Sequence, residues 1–303
     1  MKIHYLFILR ALSFALTAAH FYPAFAEVSL TLDDIQTRKG KLRLSATYSY
    51  ANINEKDVTA EQTLIVQTGP SSFVAIPAGI RAAHVNRDIQ VASIGFRYGL
   101  TKDTEIYTRG SYIWRASRSS SDLHSTTANT NSHFLDAWIG ANHRILKNQG
   151  TPSLLGFLEV AVAERDKGKD SHAKSWLIGA TAYEIIDPIV LSFTAAYRRN
   201  SERNNSFETR KPGDILFVNP SLAFAVNDRI TLSGGLKWIN RQADRRNGIE
   251  KGIRLTTTDI QLGMAYGFSK TTTVNLTVGA SASGYGSSTI SVNFVHSLGQ
   301  LFI

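Results

Sequence analysis

The stretch Val91–Trp114 most constrains the fold, because most residues of its two arms alternate between apolar and polar. Successive side chains of a β-strand point to opposite faces, so each arm has one apolar face and one polar face. The connecting segment Thr101–Thr104 is short and polar, as is usual for a hairpin turn. The pattern therefore predicts an antiparallel hairpin with two chemically different faces.

The length of the two arms favours a membrane strand over a strand of a soluble sandwich. Strands of soluble proteins are most often about 5–6 residues long, whereas each arm here extends over roughly 11 residues, enough to cross a tilted bilayer. We expect the apolar face to contact lipid and the charged face to line a pore.

The composition is compatible with a strand barrel. The chain has 303 residues, a formal net charge of +9 and no Cys, and its mean hydropathy is only -0.11. Half of each barrel strand faces water, which hides the membrane character from such an average. The absence of Cys excludes disulfides and thiolate sites. For an exported chain, the basic balance favours contact with anionic lipid headgroups over nucleic acid.

Three segments are predicted along the chain. Residues 1–26 resemble a secretory signal peptide, with a basic start, an apolar middle and the cleavage pattern Ala24-Phe25-Ala26; an uncleaved membrane anchor is the alternative. Residues 27–40 form a short periplasmic segment that either remains a tail or tucks into the pore. Residues 41–303 form the barrel.

The same alternation recurs along the rest of the chain and predicts about twelve strands. Short connections alternate strictly with longer polar ones, as in bacterial outer-membrane barrels with short periplasmic turns and long outer loops. The segment Asn54–Arg87 is ambiguous. We interpret it as a long outer loop with its own hairpin, Thr63–Gln67 and Phe73–Ile76, folding over the pore. Two further membrane strands, giving fourteen, are the alternative.

Aromatic residues gather at both ends of the predicted strands, on the apolar face. Such belts mark the two interfaces between a bilayer and water. The predicted interfacial aromatic residues are Phe96, Tyr98, Tyr112, Trp114, Trp176, Phe224, Trp238 and Tyr266.

The polar face carries the candidate functional residues. One interpretation is a salt-bridged filling that closes a narrow barrel. We favour an open or gated lumen, because a twelve-strand barrel is wider than the eight-strand barrel that side chains just fill. The predicted pore-lining residues are Arg43, Arg97, Glu105, Arg109, Arg115, Asp136, Glu159, Glu184, Arg198, Lys237 and Asp259.

The sequence gives little indication of catalysis or of a bound metal. No Gly-x-Ser-x-Gly motif is present, and Asp33 and Asp34 lack the spacing of a calcium loop. His143 and His296 share the register of the apolar rows, where a lipid-modifying enzyme would place its base. A histidine at a strand end is more often an interfacial residue, so we predict no enzyme activity, metal or cofactor.

Three short stretches resemble a group of outer-membrane channels. They are Val74–Ile80, Asn86–Asp88, and Phe96–Thr101 followed by Glu105. The group comprises the barrel domain of the functional-amyloid (Fap) secretion channel and the meta-pathway phenol-degradation transporters. The amyloid channel implies a twelve-stranded, trimeric pore that exports an unfolded polypeptide. Its N-terminal coiled coil has no counterpart in Glu27–Gly40, which shows no heptads.

These observations together predict a channel or transporter in the bacterial outer membrane, and the resemblance to the Fap channel implies secretion of amyloid-type subunits. The alternatives are an uptake pore for small aromatic or hydrophobic molecules and a non-conducting structural or adhesive barrel. The expected partners are outer-membrane lipid and lipopolysaccharide, the transported solute or polypeptide, and, by resemblance, two further copies of the chain in a homotrimer.

Overall fold

The computed structural model describes residues 36–56, 62–69, 72–78, 84–120, 126–147, 152–166, 169–171, 175–204, 209–283 and 286–300. The predicted signal peptide and most of the periplasmic segment lie outside these residues. No helix in the described part of the chain is long and apolar enough to cross a membrane.

Twelve long strands form the wall of the molecule. Seven shorter strands lie in the outer connections and in the hairpin between the first two wall strands. In chain order the strands are β1 (Lys41–Lys56), β2 (Gln62–Gly69), β3 (Ser72–Ala78), β4 (His84–Gly99), β5 (Thr104–Ser120), β6 (Thr126–Leu146), β7 (Ser153–Asp166), β8 (Lys169–Ser171), β9 (Trp176–Ile186), β10 (Ile189–Arg199), β11 (Arg203–Asn204), β12 (Thr209–Lys211), β13 (Ile215–Ala225), β14 (Ile230–Arg241), β15 (Asp244–Arg246), β16 (Ile249–Lys251), β17 (Leu255–Ser269), β18 (Thr272–Ser281) and β19 (Gly286–Gln300).

The wall is a closed antiparallel barrel. Neighbouring wall strands pair in the order β6-β5-β4-β1-β19-β18-β17-β14-β13-β10-β9-β7, and β7 pairs back with β6. The first and last strands, β1 and β19, pair from Lys41–Gln300 to Asn54–Gly286. Closure removes the unpaired edges that a bilayer cannot tolerate. The prediction of twelve strands is confirmed, and the fourteen-strand alternative is wrong.

The hairpin β2–β3 lies inside the barrel. It forms a separate two-stranded sheet and hydrogen-bonds to inward side chains of the wall. The predicted hairpin within Asn54–Arg87 is thus present, but it occupies the lumen rather than only covering the outer mouth.

A second small sheet stands in the outer connections. Strands β11, β12, β15 and β16 pair in that order, joining the β10–β13 connection to the β14–β17 connection. From the sequence both connections are predicted only as longer polar loops, because strands of two or three residues are too short to show an alternating pattern.

The exterior of the wall is apolar. Large hydrophobic residues of the outward rows are among the most exposed side chains, including Ile94, Val162, Leu236 and Leu262. A broad exposed apolar surface on a closed barrel is the surface that a lipid bilayer covers. The outward rows predicted from alternation therefore hold for most strands.

A β-bulge in strand β6 changes which side chains face inward. Ser111 pairs with Asp136, but the next residue, Tyr112, pairs with Phe134, so Leu135 is the extra residue of a β-bulge. Both Leu135 and Asp136 are consequently buried inside. Strict alternation along this strand predicts Leu135 on the outward row with Ala137, Ile139 and Ala141, and the bulge corrects this expectation.

The placement of Glu184 is also corrected. On strand β9 the buried positions are Leu177, Thr181 and Tyr183, while Ile178 and Ile186 are exposed. Glu184 shares the register of the exposed residues, because its sequence number has their parity. It lies on the outward row near the periplasmic end of the barrel and does not face the lumen.

Candidate functional site in the barrel lumen

Three buried cations of the wall hold the lumenal hairpin by its polar groups. Arg97 donates to the Ser72 hydroxyl at 3.1 Å, Arg109 donates to the carbonyl of Phe73 at 2.8 Å, and Lys237 donates to the carbonyl of Ile65 at 3.1 Å. Backbone groups inside a barrel need such partners, since an unsatisfied one costs free energy.

Apolar contacts also hold the hairpin against the inner wall. The ring of Phe73 lies 4.2 Å from the ring of Phe217 on β13, within a buried cluster that also contains Ile65 and Trp138. On the other side, Val66 and Val74 pack in a second cluster with wall residues. The inner wall is therefore apolar where it meets the hairpin, which period-two alternation alone did not indicate.

The inner wall carries a continuous polar network along β4–β10. The periplasmic end of this network centres on Glu105. This carboxylate is fully buried and accepts from Arg97 at 2.7 Å, Asn142 at 2.6 Å and the backbone N–H of Thr37 at 2.8 Å. The described end of the N-terminal segment is thereby held inside the periplasmic mouth. Arg43 lies opposite Arg97 in the pairing of β1 with β4.

The middle of the network centres on Arg109. Its guanidinium lies 3.2 Å from Glu159 and 3.5 Å from Asp136, and Glu159 also accepts from the Tyr107 hydroxyl at 2.9 Å. Trp138 donates to Asp136 at 2.8 Å. Removing one partner of such a buried ion pair leaves the other charge buried and unpaired, which typically costs about 3–5 kcal/mol of stability.

The outer end of the network centres on Glu164. It accepts from Arg198 at 2.7 Å and lies 3.3 Å from Arg203, while Arg198 stacks 4.7 Å above the Trp138 ring. Sequence reasoning missed Glu164, because Ala137 pairs with Ala163 while the next residue, Trp138, pairs with Ala161. This bulge shifts the inward register by one residue, and no feature of the sequence signals it.

The wall opposite this network, formed by β17–β19, differs in its residue types. The inward rows of β17–β19 on the periplasmic side of Asp259 contain only small or uncharged residues. They are Gln261, Gly263, Ala265, Gly267, Thr273, Asn275, Thr277, Gly279, Thr289, Ser291, Asn293, Val295 and Ser297. All of them are partly exposed, and the inward Ser233 on β14 is exposed. We call this wall the small polar wall.

The predicted pore-lining residues fall into two groups. Ten of the eleven lie in inward registers, and Glu184 does not. The structure brings seven of them together in the network along β4–β10 or opposite it: Arg43, Arg97, Glu105, Arg109, Asp136, Glu159 and Arg198. Lys237 pairs with Asp259 at 2.8 Å elsewhere on the wall, and Arg115 stands higher on β5, opposite Ile89.

The predicted interfacial aromatic residues all lie in outward registers, most of them near strand ends. Tyr112 and Trp114 instead lie in the middle part of β5, because this strand extends to Ser120. Some of them contact other aromatic residues, with ring centres 4.7 Å apart for Tyr112 and Trp114 and 4.8 Å apart for Tyr266 and Phe268. Their role at the two interfaces stays a prediction. Among the described residues, no group of His, Asp or Glu has the arrangement of a metal site.

Comparison with solved structures identifies the fold. An outer-membrane channel from Pseudomonas putida F1 superposes with a TM-score of 0.60 at 11% sequence identity, covering 89% of this chain and 100% of that one. The translocator domain of the autotransporter NalP from Neisseria meningitidis superposes with a TM-score of 0.50 at 11% identity, covering 87% and 91%. The fold is therefore that of a bacterial outer-membrane β-barrel, which places the chain in the outer membrane.

The sequence itself matches no family model and no curated protein. The two solved structures do not show the finer resemblance to an amyloid secretion channel. The resemblance to the Fap channel thus stays a prediction.

Proposed function

We propose that the protein is a passive, non-enzymatic outer-membrane channel for small solutes. The observation that carries this proposal is the small polar wall. Its hydroxyl, amide and glycine positions are partly exposed to the lumen, whereas the charged residues of the opposite wall are buried in ion pairs. Water and small polar solutes can exchange hydrogen bonds along such a surface without displacing an ion pair.

The lumenal hairpin limits the size of what passes. It fills the space between β4–β6 and β13–β14, where Arg97, Arg109 and Lys237 hold it. Export of a polypeptide, and access to the apolar clusters by an aromatic solute, would both require the hairpin to leave. We therefore favour a narrow pore for small polar solutes over secretion or aromatic uptake.

The test is conductance in planar lipid bilayers, together with swelling of vesicles in neutral sugars of increasing size. Wild type should conduct weakly and admit only the smallest sugars. A variant in which residues 62–78 are replaced by a short Gly-Ser linker should conduct several-fold more and admit larger sugars. Both proteins must show the heat-modifiable gel migration of a folded barrel.

If neither protein conducts although both are folded, the channel proposal fails and a structural or adhesive barrel replaces it. If the two conduct equally, the hairpin does not restrict the pore.

A further inference from the structure

A shallow apolar groove of about 610 Å³ runs across the outside of the barrel wall, over strands β9, β10, β13 and β14. It lies between two outward rows of side chains, one through Phe193 and Leu236 and the other through Leu191 and Leu222. These four side chains are between 42% and 50% exposed, so the groove is on the lipid side of the wall. Its volume is within the range of about 300–1,000 Å³ that is usual for sites that hold a small molecule.

Small residues interrupt both rows and give the groove its depth. Ala182 pairs with Phe193 in one row, and Gly234 pairs with Leu222 in the other. The glycine is not required by packing within the wall, because a Cβ at residue 234 would lie 3.8 Å from the nearest atom, in Leu262. It does not serve a β-bulge either, since the pairing of β14 with β17 is regular there. Glycine inside a strand otherwise often marks a place where a ligand approaches the backbone closely.

Glu184 is the charged side chain that lines the groove. It lies two residues before the periplasmic end of β9 and opposite Leu191 on β10. In the part of the chain that the structure describes, its carboxylate has no hydrogen-bond or ion-pair partner. A charge on the lipid face is unfavourable, and its cost is lowest near the interface with water. The groove thus offers an apolar surface for a hydrocarbon chain, with one negative charge beside it near the periplasmic interface.

We propose that this groove binds phosphatidylethanolamine of the inner leaflet, with one acyl chain in the groove and the ammonium headgroup on Glu184. The ammonium carries a positive charge and three N–H donors, as a lysine side chain does, and it complements a carboxylate in both respects. Phosphatidylglycerol lacks the cation and brings a second negative charge to Glu184. Phosphatidylcholine keeps the positive charge but has no N–H donor. The proposal is independent of conduction through the lumen.

The test is native mass spectrometry of the full chain folded in detergent, which resolves each retained lipid by its mass. The protein is stripped of lipid and mixed with equal amounts of phosphatidylethanolamine, phosphatidylglycerol and phosphatidylcholine that carry the same acyl chains. Phosphatidylethanolamine should be retained about threefold to fivefold more than either of the others, the ratio expected for an ion pair that is partly exposed to water.

Two variants separate the contribution of the charge from that of the groove. Glu184→Gln removes the charge with little change in shape, so the three lipids should be retained equally. Gly234→Leu fills the groove and should lower the retention of all three lipids several-fold. The matched control is Gly110→Leu on the outward row of β5, where the nearest atom to an added Cβ is also distant, at 3.9 Å. This control adds the same side chain outside the groove and should retain lipids as wild type does.

Equal retention of the three lipids by wild type would overturn the proposal, because it would indicate only the ordinary lipid layer around a barrel. An unchanged preference in Glu184→Gln would overturn the role of the carboxylate, and equal retention by Gly234→Leu and Gly110→Leu would overturn the role of the groove. A dimer mass in wild type that Gly234→Leu converts to a monomer would show that a second copy of the chain occupies the groove instead. Conductance plays no part in these measurements, so the lipid site and the channel function can fail separately.

Discussion

Glycine residues on the inner face of the wall make room for aromatic side chains of neighbouring strands. The Tyr107 ring lies over Gly140, so a Cβ at residue 140 would come within 2.6 Å of the ring. The same ring carries the hydroxyl that donates to Glu159 at 2.9 Å. The glycine therefore supports the buried network indirectly, through the position of the tyrosine.

We expect Gly140→Ala to destabilise the barrel by about 1–3 kcal/mol, because the ring must shift and its hydrogen bond must weaken. Gly110→Ala is the matched control. Gly110 lies on the outward row of β5, where the nearest atoms to an added Cβ are 3.9 Å away. The measurement is urea unfolding from lipid vesicles. Equal losses for both substitutions would show that the contact between Tyr107 and Gly140 is not the cause.

The two faces of strand β14 give a second prediction at this scale. Leu236 is outward, 46% exposed and near the middle of the strand. Leu236→Arg should cost about 2–4 kcal/mol if that position lies near the bilayer midplane. Ser233→Arg should cost much less, since Ser233 is exposed on the inward row. Comparable folding of the two variants into vesicles would contradict the assignment of the faces.

At the scale of elements, alternation was a good guide to regular strands and a poor one where the period breaks. It predicted the wall strands, because each inward or outward row is repeated over many residues. It could not find the bulges in β6 and β7, which move Leu135 and Glu164 to the inner face. It also gave no position for the hairpin, whose location depends on Arg109 and Lys237, far from it in sequence.

The lumenal hairpin should open as a unit when its aromatic anchor is removed. Phe73→Ala deletes the ring that packs on Phe217 at 4.2 Å and leaves the hydrogen bonds of the hairpin in place. We expect amide hydrogen exchange to accelerate in residues 62–78 and to stay unchanged in the wall strands. Phe193→Ala, on the outward row of β10 and 50% exposed, is the control and should leave the hairpin protected. Unchanged exchange in Phe73→Ala would mean that the cations alone hold the hairpin.

The whole molecule is asymmetric about the barrel axis. One side combines the hairpin, the apolar clusters and the network of ion pairs, and the other is the small polar wall. Paired charges contribute little net field to the lumen, so the open side should set the ion selectivity. Net charge counted from the sequence does not reveal this division, because it does not show which charges are paired.

A single charge placed on the small polar wall should therefore control selectivity. Thr277 lies on the inward row of β18, between Gly263 and Ser291 on the neighbouring strands, so a longer side chain there has room. We expect Thr277→Asp to shift the reversal potential across a salt gradient toward cations and Thr277→Lys to shift it toward anions. Thr277→Val, which keeps the shape without charge, should leave the reversal potential at the wild-type value. If the protein conducts and neither charged variant shifts it, ions do not travel along this wall, and the conducting path must lie on the side of the hairpin.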